Sequence, residues 1–584
     1  MKCTTDPDHP AVIEGDSVLT YDGLRTRVTR LARRISVLAA GTDDVVALYL
    51  PRGTDLVVAA TAALTAGVAY LALDTDQPTA RSRALVEGAG AKLVITRAAL
   101  ADQVAVADAT AVLVDAPDDT ETAETPETAW PPTSPHPSAA AYVTYTSGST
   151  GRPKAVVVEH GGLANLVDWY GRQYELTPAD RMTQLARPSF DAFALEVWPC
   201  LAHGAALHIV PQELLATPAD LVSWLHARRI TVGFVPTPLA MELTGTPWPR
   251  EEDGSARLRA MLVGGDRLSR GAPAGLPFTM YNNYGPTEGT VVATCGRVPT
   301  EDERPGTPPS IGTPIDGVTA YVLDPQGEPV PDGEPGQLYI GGAGVARGYL
   351  NAGPEDAARF SDDPYADEPG ARRYATGDLV RRDADGHLHF LGRIDDQLKI
   401  NGVRVEPGEV EAVLLKHAGV LAAAVVPHRA DPDGAAALVA YVVLAEGTDP
   451  AEVRGRAADE LPAVMVPVAV LPVRSLPLTS HGKVDRADLA ARPLPEAEDA
   501  PEGTYTSALE RQIAGLWTQL LGVPSVAPSD SFFDLGGDSL RVIRLVKAAR
   551  KQGLELIADD IYAYPVLRDL AGALPAPAND ESGR

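Results

Sequence analysis

Two adjoining stretches, Val45-Val-Ala-Leu-Tyr-Leu50 and Leu56-Val-Val-Ala-Ala-Thr-Ala-Ala-Leu-Thr-Ala-Gly-Val-Ala-Tyr-Leu-Ala-Leu73, decide how this chain folds. The second is uncharged, and at about 18 residues it reaches the lower edge of membrane-spanning length. It is mostly Ala, Thr and Gly, however, and Gly67 divides it into a helix-like half and a strand-like half. It therefore reads as part of a buried strand–helix–strand unit and not as a membrane span. Short apolar runs recur at Leu93–Ile95 and Val112–Val114, and Ala- and Leu-rich helical segments separate the early ones. This alternation predicts right-handed βαβ crossovers and a parallel sheet.

Further along, residues 117–137 are acidic and Pro-rich and read as a mobile loop. A second αβ region runs from Tyr142 to about Thr294. Residues 296–392 turn to Gly, Pro and short strands such as Gln337-Leu-Tyr-Ile340, which predicts a small β-rich lobe. A break at Gly392-Arg-Ile-Asp-Asp396 precedes a compact α+β segment that ends near Ala491. The Pro- and Glu-rich residues 492–503 read as a linker. In the helical unit that follows, Ser507 and Glu510 form a capping-box pair, and Leu509, Ile513, Leu516, Trp517 and Leu520 keep helical spacing. Gly522 and Pro524 end that helix. Ser539 opens a second helix with Asp538 as its N-cap, and Pro565 opens a third. The expected division is 1–394, 395–491, the linker 492–503, an all-α unit over 504–575 and a disordered tail over 576–584.

The length of 584 residues favours roughly three or four domains. A formal net charge of −28 argues against nonspecific binding to nucleic acid or to an anionic membrane. Cys3, Cys200 and Cys295 are far apart and outside any CxxC spacing, so neither a disulfide framework nor a zinc site is indicated. The first residues, Met-Lys-Cys-Thr-Thr-Asp-Pro-Asp8, lack the apolar core of a signal peptide, and a cytoplasmic location is expected.

Two motifs carry chemistry. In Tyr145-Thr-Ser-Gly-Ser-Thr-Gly-Arg-Pro-Lys154, Gly148 and Gly151 let successive backbone N–H groups converge on an anion. Thr146, Ser147, Ser149, Thr150 and Lys154 add hydroxyls and charge, so the loop suits the phosphates of ATP. It lacks the spacing of a Walker loop, and by itself it also reads as a Ser/Gly-rich surface turn. The second motif is Phe532-Phe-Asp-Leu-Gly-Gly-Asp-Ser-Leu540. Its Gly-Asp-Ser-Leu would fit a hydrolase whose serine is the nucleophile, but no histidine follows Ser539 to act as base. The hydrolase reading fails, and the motif instead resembles the site where a carrier protein receives a phosphopantetheine arm, on Ser539.

Further motifs follow in a fixed order: Leu19-Thr-Tyr21, Ala66-Gly-Val-Ala-Tyr-Leu-Ala-Leu-Asp74, the phosphate loop, Phe190-Asp-Ala192 and Asn282-Asn-Tyr-Gly-Pro-Thr-Glu288. The series continues with Gly344-Val-Ala-Arg-Gly-Tyr-Leu350, Tyr374-Ala-Thr-Gly-Asp378, Gly392-Arg-Ile-Asp-Asp-Gln-Leu-Lys399 and Gly482-Lys-Val-Asp-Arg486. Over roughly residues 10–575 the chain resembles the adenylation domains of nonribosomal peptide synthetases, fused to a peptidyl carrier. These domains belong to the superfamily that includes acyl-CoA ligases and luciferases. The fold implied is multidomain α/β: a large adenylation subdomain of mostly parallel αβ sheets with a β-rich lobe, a small α+β C-terminal subdomain, and an all-α four-helix carrier.

The resemblance also implies roles. Glu288 matches the Mg²⁺ ligand, a hard carboxylate oxygen for a hard cation, and Thr287 the contact to the α-phosphate. Tyr284 matches the residue that stacks on adenine, with Asn282 and the turn Gly264-Gly265-Asp266 along its edge. Asp378 and Arg393 match the ribose-binding positions, and Asp395 the hinge. Lys483 matches the lysine that holds the substrate carboxylate and the reacting phosphate. The C-terminal lobe is then expected to pivot, withdrawing Lys483 and presenting the Gly402 loop for thioester formation. Ser539 matches the attachment point of 4′-phosphopantetheine, which makes a phosphopantetheinyl transferase an expected partner. The chain departs from the family pattern at Ala72, Ala155, Gln337 and His481, none of which removes a proposed catalytic group.

The pocket positions carried over are Asp191, Ala192, Leu195, Phe234, Leu262, Gly264, Asn283, Val291, Val292 and Lys483. Asp191 is expected to pair with a substrate ammonium and Lys483 to take the opposite end. The apolar residues between them favour leucine or a similar aliphatic amino acid. Leu195 is the exception, standing where leucine pockets frequently have tryptophan. A methylene is discriminated by only about 1–3 kcal/mol, so isoleucine, valine, methionine and aromatic side chains stay open. Two rival functions are an acyl-CoA ligase, disfavoured by Asp191 and the carrier, and an inactive scaffold, disfavoured by Lys154, Glu288, Asp378 and Lys483. The expected unit is a stand-alone loading module whose product is used in trans by downstream enzymes. A small MbtH-like activator is a further candidate partner.

Overall fold

Short apolar strands and the helical runs between them build two compact units in the computed structural model: Met1–Thr146, Pro153–Val210 and Val222–Asp396 in one, and Ser147–Arg152, Pro211–Leu221 and Gln397–Arg584 in the other. The structure describes residues 6–38, 44–116, 135–148, 152–251, 257–400, 402–429, 436–479, 483–492, 505–521, 523, 525–532, 535, 537, 539–554, 556–557, 560–561 and 564–574. Most of the loop expected at 117–137, most of the linker, Gly522, Pro524, Asp538, His481 and the tail lie outside these residues, as do Ser149, Thr150 and Gly151.

The opening stretch folds as read. Strand Val45–Tyr49 pairs in parallel with Ala69–Leu73, and helix Thr54–Ala66 connects them. Leu56 to Ala63 are all buried, so the membrane-like run is a core helix, apolar on every side because it is covered on every side. Among the described residues no helix is long and apolar enough to cross a membrane. Gly67 ends the helix at φ 79°, and the N–H groups of Gly67 and Val68 return to Leu64 and Ala63. The strands belong to a seven-stranded sheet ordered Gly348–Tyr349, Lys154–Glu159, Ala140–Thr146, Ala69–Leu73, Val45–Tyr49, Leu93–Thr96 and Thr110–Leu113.

A nine-stranded sheet lies in the same unit. Its strands Ala206–Ile209, Arg181–Gln184, Val232–Pro236, Ala260–Gly264 and Thr279–Tyr284 are parallel neighbours in that order. The β-rich lobe is antiparallel, built from Val318–Leu323, Pro335–Gly342, Arg372–Arg382, Phe360–Asp362 and Leu388–Arg393. It begins later than residue 296, because Thr294–Arg297 and Thr313–Pro314 extend the edge of the nine-stranded sheet.

In the second unit, strands Val420–Arg429, Ala436–Leu444 and Ala469–Pro472 form a sheet beside helices Pro407–Leu414 and Pro450–Glu460. Helices Ala508–Leu521, Ser539–Lys551 and Leu567–Ala573 follow. Trp517 and Phe532 pack edge-on at their core. The capping pair differs from expectation. Ser507 Oγ accepts the Glu510 N–H as read, but the Glu510 carboxylate returns to the N–H and hydroxyl of Thr506, one residue earlier. The last helix starts at Leu567, two residues after Pro565.

A Cβ added at Gly67 would meet nothing within 4 Å, so the cost of a side chain there is conformational alone. Gly67→Ala should lower stability by about 1–2 kcal/mol in urea unfolding. A loss well above that would mean that packing, and not the left-handed backbone, requires glycine.

Candidate functional site

The first unit holds the expected pocket residues other than Lys483, on parallel strands and on the segments that follow them. Phe234 stands opposite Leu262 in the pairing of Val232–Pro236 with Ala260–Gly264, and Leu262 stands opposite Tyr281 on the next strand. Side chains alternate along a strand, so Leu262 and Gly264 share a face. A Cβ at Gly264 would lie 2.7 Å from the Asn283 carbonyl oxygen and 3.6 Å from the Phe234 ring, which makes glycine the residue that leaves space there. Leu195 projects from helix Ala192–Ala202, and Leu195, Phe234, Leu262, Val291 and Val292 join one buried cluster with Ala192 against it. Asp191 occupies the position before that helix without capping it.

Asn283 is 5% exposed. Its Oδ1 accepts from Tyr174 Oη at 3.3 Å, Tyr174 lies 3.5 Å from Cys295 Sγ, and the Asn283 Nδ2 has no hydrogen-bond partner among the described atoms. The turn carrying Val291 is strained, because two β-branched residues, Thr290 at φ 55° and Val291 at φ 68°, sit in left-handed backbone. Thr290 Oγ1 donates to the Gly344 carbonyl at 2.6 Å, and Ala293 N–H donates to the Tyr284 carbonyl at 2.8 Å. Gly285 lies beneath, where a Cβ would come within 2.4 Å of the Val291 oxygen.

The residues expected to hold nucleotide form a chain of contacts in the same unit. Tyr284 donates its hydroxyl to Asp378, and Asp378 accepts from Arg393. Arg393 also grips Asp395 with two nitrogens, at 2.6 and 2.7 Å, and Arg359 approaches Asp395 at 3.4 Å. Burial, and then the Asp378 charge, hold the Tyr284 phenol well above its ordinary range. Asn282 donates to the Ser310 carbonyl at 2.9 Å, and Thr237 Oγ1 fastens the turn through the carbonyls of Gly264 and Asp266, with Gly265 at φ 86°.

Glu288 is fully buried in the short 3₁₀ turn Thr287–Gly289, and Tyr349 Oη donates to its Oε1 at 2.5 Å. Lys154 lies 5.7 Å over the Tyr349 ring and pairs with Asp356 at 2.7 Å, a partner no motif announced. The Glu288 oxygens suit Mg²⁺ in kind. The His and carboxylate grouping at Asp383, Asp385 and His387 is a separate turn, in which Asp383 accepts from the backbone of both neighbours. The phosphate loop suits an anion in two respects. Thr146 Oγ1 is buried with no partner among the described atoms, and the Gly148 N–H already donates to a carboxylate oxygen, Glu409 Oε2, at 3.3 Å. Ser147 Oγ donates to the Arg404 carbonyl at 2.9 Å.

In the second unit Lys483 is exposed, and its carbonyl accepts the Thr479 N–H at 2.7 Å. Ser539 is the first residue of its helix. Sequence reading missed Tyr349, Asp356, Arg359 and Tyr174. Tyr349 lies inside a quoted motif and could have been found there; the others are ordinary polar residues until the fold brings them close.

Arg393→Lys would keep the charge but lose the planar fork that joins Asp378 to Asp395. It should lower kcat/KM for ATP-dependent pyrophosphate exchange by about tenfold or more. Unchanged exchange would mean that the contact chain has no part in the site.

Three family models match in order: the AMP-binding enzyme over residues 1–350, its C-terminal domain over 409–483, and the phosphopantetheine attachment site over 511–574. One component of the linear gramicidin synthase of Brevibacillus parabrevis is 41% identical over 97% of this chain. Another component of the same synthase is 40% identical, also over 97%. The chain spans 11% of the length of each of these curated relatives. A solved nonribosomal peptide synthetase protein containing adenylation and carrier domains, in holo form with a vinylsulfonamide inhibitor, is 26% identical. That match has a TM-score of 0.77 and covers 97% of this chain and 94% of the other. The chain belongs to the AMP-binding enzyme family, in the nonribosomal peptide synthetase arrangement of an adenylation domain, its C-terminal domain and a phosphopantetheine carrier.

Proposed function

We propose that this chain activates an amino acid with ATP and loads it on its own carrier, with leucine or a similar aliphatic residue preferred. In the first half-reaction a carboxylate oxygen of the substrate attacks the α-phosphorus. One P–O bond forms, the bond to the β-phosphate oxygen breaks, and pyrophosphate leaves. In the second, Ser539 would hold the 4′-phosphopantetheine arm, which would supply the thiol nucleophile for a C–S bond to the aminoacyl carbonyl, with AMP as the leaving group. The first step brings two anions together, so charge must be neutralised and the partners aligned. Lys483 holds the carboxylate and the reacting phosphate. Thr146, Ser147, Gly148 and Lys154 line the phosphates, and Thr287 takes the α-phosphate. Glu288 would hold Mg²⁺, which supplies countercharge when bound. Asp378 and Arg393 orient the ribose, and Tyr284 the adenine. Asp395 is the hinge about which Lys483 gives way to the Gly402 loop.

The observation that carries the amino-acid reading is Asp191 at the head of a helix whose Leu195 joins Phe234, Leu262, Val291 and Val292 in one apolar cluster. With Asp191 proposed at the mouth of a pocket lined by these residues, an α-ammonium with an aliphatic side chain would find both a charge partner and apolar cover; a plain fatty acid would give the carboxylate nothing to pair with. The matched relatives are peptide synthases, which supports a peptide or modified amino acid as the end product. A phosphopantetheinyl transferase, downstream enzymes that take the thioester, and a small MbtH-like activator are the proposed partners.

Pyrophosphate exchange across a panel of amino acids should be fastest with leucine. Exchange driven by fatty acids and by no amino acid would contradict the reading, whereas a preference for an acidic residue would contradict the pocket assignment alone. Lys483→Ala should cut adenylate formation by about 100-fold or more while the holo protein still takes up aminoacyl groups from a supplied adenylate. Equal loss of both steps would argue against separate roles.

A further inference from the structure

Between strand Arg181–Gln184 and helix Ala192–Ala202 the chain crosses through Leu185-Ala-Arg-Pro-Ser-Phe190 and delivers Asp191. Two buried carboxylates grip this crossing from opposite ends. Glu196, 1% exposed on the helix itself, accepts the Leu185 N–H at 2.9 Å and the Ala186 N–H at 2.8 Å, and Gln184 Nε2 approaches it at 3.4 Å. Asp74, 4% exposed just past strand Ala69–Leu73, accepts the Ser189 N–H at 3.1 Å and the Ser189 hydroxyl at 2.7 Å. The Arg52 guanidinium donates to the Leu185 carbonyl and, at 2.7 Å, to that of Val210. A turn from the Phe190 N–H to the Arg187 carbonyl, 3.1 Å, closes the far end.

Burial pushes the Glu196 carboxyl up to about 8 and that of Asp74 above its usual range, against the pull of these donors. A carboxyl this deeply buried is tolerable only with its lone pairs satisfied. The backbone donors that satisfy both belong to the crossing that leads to Asp191. Neither residue lies in the contact chain from Tyr284 to Asp395, nor beside Glu288 in the turn Thr287–Gly289.

We propose that Asp74 and Glu196 are positioning residues, whose grip on the 185–190 crossing sets Asp191 against the ammonium group of the substrate. The proposal rests on the reading of Asp191 as the ammonium partner.

The test compares leucine with 4-methylpentanoate, which has the same side chain and no ammonium group, by pyrophosphate exchange in the full chain. Asp74→Asn, Glu196→Gln and Ser189→Ala should each raise the KM for leucine about tenfold and narrow the preference for leucine by about as much. The KM for ATP should stay within about twofold, because the nucleotide contacts are untouched. Ser189→Thr, which keeps the hydroxyl, should restore the wild-type values. Asp191→Asn is the control for the underlying reading. If it abolishes the preference while Asp74→Asn and Ser189→Ala keep it, the clasp is overturned and Asp191 stands. If Asp191→Asn keeps the preference, the ammonium reading falls and the clasp with it. A parallel rise of the ATP and leucine KM values would mean support of the fold alone, and would also overturn the proposal. Should the two carboxylate variants fail to fold, the Ser189 pair decides by the same criteria.

Discussion

The proposed site depends on one constraint, the parallel pairing of Arg181–Gln184, Val232–Pro236, Ala260–Gly264 and Thr279–Tyr284. Parallel strands all end at the same edge of a sheet, so the segments that follow them emerge side by side. Here those segments carry Asp191, Thr237, the Gly264–Asp266 turn and the stretch from Gly285 to Val292. Residues more than 100 positions apart in sequence become neighbours for this reason, while Asp378 and Arg393 reach Tyr284 from strands of the β-rich lobe.

The residues at and around this edge carry costs that a stable fold would otherwise avoid. Asp74, Glu196, Glu288 and Asp378 are buried carboxylates, and each is tolerable only because a donor reaches it: Ser189, the Leu185 and Ala186 amides, Tyr349, and Arg393 with Tyr284. Left-handed backbone at Thr290 and Val291 adds about 1–3 kcal/mol for each residue. Such costs persist where surrounding structure over-determines the geometry, and they mark this edge as the place where position matters more than stability.

Much of this was legible in the chain. The βαβ unit around Gly67 follows from apolar run lengths and a single helix-ending glycine, whereas the proposed pocket positions rest on the family resemblance. Three kinds of feature were not legible. Strands as short as Thr294–Arg297 and Thr313–Pro314 carry too few residues to show which sheet they join. The Thr506 end of the capping pair depends on how far a glutamate side chain bends back, which spacing does not fix. Long-range polar partners such as Asp356 for Lys154 and Asp74 for Ser189 come from elements that meet only in the folded chain.

The central claim is that one chain makes an aminoacyl adenylate and captures it on Ser539. Intact-protein mass spectrometry after treatment with a phosphopantetheinyl transferase, coenzyme A, ATP and leucine measures it directly. The account predicts two successive mass gains, the pantetheine arm and then the leucyl group, with both absent in Ser539→Ala and pyrophosphate exchange nearly intact in that variant. Both gains persisting in Ser539→Ala, or an arm that never acquires an amino acid while exchange proceeds, would contradict it.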